Sequence, residues 1–209
     1  MFCRLRIFAL ALLLAMYATP VQAHPHHSHT NFQSFSQTVP DHGFWSGAVH
    51  PFTGIDHMLA MVAVGVLSVQ VGGRALFWGP LSFLGGVSLG GLLGSLFHLS
   101  PGAQAAICVS LICMGMALAF RRVPPHVYLF AVFAFFGAFH GIAHGEGKFV
   151  TGQDMDYMVG FVAGSAALHA VGLAIGVVFK QSQNTLVANM ARVSGAGIAA
   201  AGLFLMFMS

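Results

Sequence analysis

The chain is 209 residues long, 57% hydrophobic and only 6% charged, with a formal net charge of +3 and a mean hydropathy of +0.81. Soluble domains carry roughly 25% charged residues, so this composition excludes an ordinary water-soluble fold and points to an integral membrane protein. The small charge, spread over scattered Arg and Lys, excludes a nucleic-acid surface, and the three cysteines make neither a disulfide framework nor a zinc knuckle.

Residues 1–23 read as a secretory signal. Arg4 and Arg6 form the positive start, Ile7 to Ala18 the apolar stretch, and Val21-Gln22-Ala23 a small-residue cleavage site. The apolar stretch is short for a membrane span, which favours cleavage over retention as a first helix. Residues 24–42 follow as an exposed arm. Its His24, His26, His27, His29 and His42 suit a loose collector of divalent cations, or a spacer with incidental histidines. Pro25 rules out the square-planar chelate that an amino-terminal His-x-His would otherwise offer, because that chelate needs a deprotonated backbone nitrogen at the second residue.

Residues 43–209 form one all-α domain, a polytopic bundle of six transmembrane helices. The apolar runs fall at about 51–70, 75–97, 103–120, 126–145, 155–178 and 187–207. Gly72-Gly73, Ser100-Pro101-Gly102, Pro124-Pro125 and Gly145-Glu146-Gly147 punctuate them. With the N-terminus outside after cleavage, Arg74, Arg121, Arg122 and Lys180 fall on the cytoplasmic side, as the positive-inside rule asks. The expected location is the inner membrane of a bacterium. Gly86, Gly90 and Gly94, then Gly160 and Gly164, and Gly172 and Gly176, recur at the four-residue spacing that lets helices approach closely.

Two clusters carry chemistry. His50-Pro51-Phe52-Thr53-Gly54-Ile55-Asp56-His57 opens the first span, with Pro51 expected in the first helical turn, His50 at the helix start and His57 about 10 Å along the same helix. Asp56 suits either a direct ligand or an orienting partner of an imidazole on a neighbouring helix. Phe139-His140-Gly141-Ile142-Ala143-His144-Gly145-Glu146 closes the fourth span, and the i,i+4 spacing sets His140 and His144 on one helix face, as chelation of one divalent cation requires. Ordinary capping and core histidines are the alternative. Charged or ionisable groups in hydrocarbon are costly, so two such clusters favour a metal path. Glu146, His98 at the outer end of the second span, and His169 in mid-membrane are further candidate ligands, with a helix-to-helix hydrogen bond the alternative for His169.

His50-x5-Asp56-His57 followed by Phe139-His140-Gly141-x-Ala143-His144-Gly145 resembles the signature pair of the HupE/UreJ family, and Leu168-His169-x-x-Gly172 is similar to its fifth helix. One departure stands out. The family pattern puts a Glu three residues after the second His of the second motif, whereas here Glu146 comes two after His144 and Gly147 holds the family position. The resemblance implies a permease that imports Ni²⁺ or Co²⁺ for the assembly of a metalloenzyme such as hydrogenase or urease. No cofactor and no catalysis are implied; the partners are the cation and the bilayer, with an oligomer or a metallochaperone as further options. An intramembrane zinc hydrolase is the rival reading, since His and Asp from several helices also suit activation of a water.

Overall fold

The computed structural model describes residues 43–97, 102–122, 125–145 and 153–208. The signal sequence, the histidine arm, His98 and Glu146 lie outside the described residues. Within them the chain forms seven helices: α1 (Phe44–Thr53), α2 (Ile55–Val71), α3 (Ala75–Phe97), α4 (Ala103–Phe120), α5 (His126–Gly145), α6 (Gln153–Gln181) and α7 (Thr185–Met208). Helices α3 to α7 are each long and apolar enough to cross a membrane, and α1 with α2 passes the same test as a bent pair whose axes meet at 86°. In hydrocarbon every backbone polar group must be paired within the protein, and helices pair theirs internally. Exposed Phe77, Leu96, Val127, Leu186 and Phe207 suit a surface solvated by lipid tails.

Helix α2 is the hub, touching each of the other six described helices. Its Ala60, Met61, Ala63 and Val64 are fully buried. The other helices come in pairs that glycines hold together. Gly86, Gly90 and Gly94 of α3 lie against the backbone of Ala134, Ala138 and Ile142, while Gly137 and Gly141 of α5 lie against that of Phe83 and Val87. The two helices therefore run parallel, each lending the other a groove. Helix α6 takes α1 at Gly160 and Gly164, then α2 at Gly172 and Gly176, and α4 runs antiparallel to α7 through Gly115 and Gly195. Lipid tails are as apolar as the side chains, so close packing of this kind, rather than the hydrophobic effect, drives helix association in the bilayer.

The first span departs from the sequence expectation. Pro51 sits inside α1 rather than opening a long helix, and the chain breaks at Gly54, whose backbone is extended (φ −95°, ψ 118°). Thr53 Oγ1 donates to the His50 carbonyl at 2.8 Å and satisfies a backbone acceptor at the end of α1. Gly54 then accepts from the Met58 N–H at 3.0 Å, which starts α2. At 1.5 Å per residue the 17 residues of α2 rise about 25 Å, a little short of a hydrocarbon core of about 30 Å, and α1, folded over at 86°, lies across the start of α2. At the far end of α2 the Lys180 ammonium donates to the Val69 carbonyl at 2.8 Å, a cation placed at the negative end of the helix dipole.

A Cβ at Gly90 or Gly141 would meet backbone, which has no way to yield, whereas one at Gly85 meets nothing within 4 Å. Gly90→Leu and Gly141→Leu are expected to destabilise the bundle by at least the ~1–3 kcal/mol of an overpacked core. Gly85→Leu on the same helix is expected to be tolerated. Membrane abundance and monodispersity in mild detergent check this.

Candidate metal site

The break at Gly54 brings the end of α1 and the start of α2 to one place, and α5 meets them there. His50 lies in the last turn of α1, His57 in the first turn of α2, and His144 in the last turn of α5, with His140 one turn earlier. The four rings form one connected cluster, with His57 and His144 at its centre. Ring centroids lie 4.6 Å apart for His50 and His144, 4.5 Å for His57 and His144, and 5.1 Å for His57 and His140. His50 and His57 stand 6.5 Å apart on two helices, not two turns apart along one. The i,i+4 pair on α5 does face one way, as its spacing requires.

Hydrogen bonds fix which nitrogen each of two rings presents. Asp56 Oδ1 accepts from both the backbone N–H and the ring Nδ1–H of His57, each at 2.8 Å. Its Oδ2 accepts from the Gln104 side-chain amide at 3.0 Å. Both carboxylate oxygens are thus engaged, and Asp56 orients the imidazole next to it in the chain rather than one on a neighbouring helix. That leaves His57 Nε2 unprotonated, with its lone pair directed at His144. His140 repeats the device with backbone: Nδ1–H donates to the Phe136 carbonyl at 2.9 Å, and the buried Nε2 has no hydrogen-bond partner among the described residues. Outer partners of this kind are how proteins set the tautomer and aim of metal-binding imidazoles.

His144 Nε2–H donates to His57 Nε2 at 2.6 Å. Two nitrogens that share a cation at about 2.0–2.1 Å each stand roughly 2.9–3.4 Å apart. As they stand, no group of three or more His, Cys, Asp or Glu among the described residues is set to hold an ion. An opening of less than about 1 Å, with the His144 proton moved or released, converts the hydrogen bond into a seat. Four imidazoles suit borderline transition metals such as Ni, Co, Cu and Zn, and do not suit Mg or Ca, which want oxygen.

Sequence reasoning missed several supports. Gln104, in the first turn of α4, is the polar residue that reaches across to Asp56; an amide at the mouth of an otherwise apolar helix was its available signal. Phe161 of α6 packs its ring 4.9 Å from His144, 5.9 Å from His50 and 6.4 Å from His57. Tyr157, one turn before it, meets the His50 ring edge-on, with ring centroids 6.0 Å apart. His169 does not join the cluster; its ring lies deeper, against Phe83.

The family described as HupE / UreJ protein matches residues 11–205. Protein HupE of Rhizobium leguminosarum bv. viciae is 32% identical over 164 residues, which is 78% of this chain and 84% of that one. No solved structure matches the chain.

The hydrogen bonds make a prediction that needs no metal. Nitrogen NMR of ring-labelled histidines is expected to show His57 and His140 as Nδ1–H tautomers, the form less favoured by free imidazole. Asp56→Ala is expected to shift His57, and not His140, toward the Nε2–H form. An unchanged His57 signal would remove Asp56 from its orienting role.

Proposed function

The chain belongs to the HupE/UreJ family, and from that premise we propose that it is a permease carrying Ni²⁺ or Co²⁺ inward across a bacterial inner membrane, for metalloenzyme assembly of the hydrogenase or urease kind. The observation that carries the proposal is the four-imidazole cluster at one end of the bundle, with His57 and His140 each held so that Nε2 is the donor. His50, His57, His140 and His144 are the ligands of the transported ion. Asp56 orients His57, and Gln104 holds Asp56.

The chemistry fits a carrier. A hydrated divalent cation must exchange its waters for protein donors on entering hydrocarbon, and neutral imidazoles replace them while remaining exchangeable. Thiolate would hold the ion more tightly, and none of the four contacting rings brings one. Inward movement of a divalent cation gains roughly 4–5 kcal/mol per 100 mV of interior-negative potential, twice the single-charge figure. A hydrolase would need a base free to activate water, whereas the carboxylate in the cluster has both oxygens committed. With the histidine end of the bundle facing out, Arg74, Arg121, Arg122 and Lys180 at the opposite end meet the anionic cytoplasmic surface.

Initial uptake of labelled nickel and cobalt, in cells lacking other importers, tests the proposal. His57→Ala, His140→Ala and His144→Ala are expected to abolish uptake at normal abundance. Asp56→Asn is expected to raise the metal concentration needed by about 10–100-fold, the usual cost of losing an orienting partner. Magnesium in excess is expected not to compete, and acid outside is expected to slow uptake at limiting metal, because protons compete for the same lone pairs. Normal uptake by both His57→Ala and His140→Ala would end the proposal.

A further inference from the structure

Deeper in the bundle, α6 carries a polar pair that the cluster does not use. His169 is 1% exposed, and neither of its ring nitrogens has a hydrogen-bond partner among the described residues. Ser165, one turn earlier on the same helix face, is 0% exposed, and its hydroxyl is likewise without a partner. The alternative raised by the sequence, a hydrogen bond from His169 to a neighbouring helix, is therefore not made.

The depth follows from the packing. The His169 backbone lies against Gly65 of α2, eight residues and about 12 Å along that helix beyond His57, and Ser165 lies one turn nearer the cluster, beside the Gly164 contact with α1. Phe83 touches both levels, its ring centroid 5.1 Å from His140 and 5.4 Å from His169. A leucine or phenylalanine would fill the His169 volume without leaving a bare N–H and a bare lone pair in an apolar interior, where each costs stability. The arrangement has the marks of a site whose partner comes and goes.

We propose that His169 and Ser165 form a second, deeper cation seat, an inference that rests on the permease reading and extends it. One ring nitrogen of His169 and the Ser165 hydroxyl oxygen supply the protein donors, and water completes the shell. The ligand is a divalent transition metal of the class that imidazole selects. Two neutral donors hold such an ion more weakly than four imidazoles. Transit needs this gradation, because an ion must be bound well enough to enter and loosely enough to leave.

The test uses the full chain. Equilibrium binding of labelled nickel to the purified protein in mild detergent is paired with initial uptake into proteoliposomes. The unaltered protein is expected to bind in two steps, one tight and one weak. His169→Leu and Ser165→Ala are expected to keep the tight step and weaken the other by about tenfold or more. Both are expected to lower maximal uptake with the half-saturating concentration little changed, and His57→Ala to remove the tight step instead. A single binding step in the unaltered protein would overturn the proposal, as would full-rate uptake by His169→Leu with both steps intact. Should His169→Leu fail to accumulate, Ser165→Ala and His169→Gln decide by the same readouts. Absence of nickel uptake by the unaltered protein would instead overturn the permease reading, and the binding steps would still decide the deeper seat.

Discussion

A carboxylate inside a membrane bundle must be paired, and the pairing of Asp56 organises the end of this protein. Its two oxygens take the His57 amide, the His57 ring and the Gln104 side chain. Those bonds tie α4 to α2. They also turn the His57 imidazole so that Nε2 points at His144. The arrangement depends on the interruption at Gly54, which makes Asp56 a first-turn residue of α2, where the helix N-terminus favours a negative charge. In an unbroken helix, Asp56 would lie a full turn or more inside, away from those amide groups.

The same break gives the cluster its geometry. A straight first helix would separate His50 and His57 along its axis. With α1 folded over at 86°, both rings reach His144. The glycine contacts of α6 with α1 and α2 hold the two pieces at that angle, since they place backbone directly on backbone. Substitutions far from the histidines, at Gly160 or Gly164, therefore bear on the site through the position of α1. Discontinuous helices that gather polar groups within a bundle are a general solution to binding ions in membranes.

Much of this was legible in the sequence, and the reasons are specific. The apolar runs gave the helices because the bilayer sets their length. The i,i+4 spacing put His140 and His144 on one face because a helix has no other way to place them. The glycine series marked the close contacts correctly. What the sequence could not show was the break at Gly54: Pro51 suits a helix start as well as a penultimate turn, and only tertiary packing on α6 chose between them. Gln104 was hidden for a related reason. Its partner lies 48 residues away, and no local pattern links them. Asp56 suits a direct ligand or an orienting group by sequence, because only the bonds to its two oxygens, which no local pattern encodes, separate the two roles.

The central claim is that imidazoles, aimed by their hydrogen bonds, receive the cation. X-ray absorption at the metal edge of the purified, nickel-loaded full chain tests it most directly. Three or four imidazole nitrogens in the nearest shell, with the outer scattering of intact rings, are expected, and His57→Ala should remove one of them. A shell containing sulfur at about 2.3 Å, or one of oxygen alone without imidazole scattering, would contradict it.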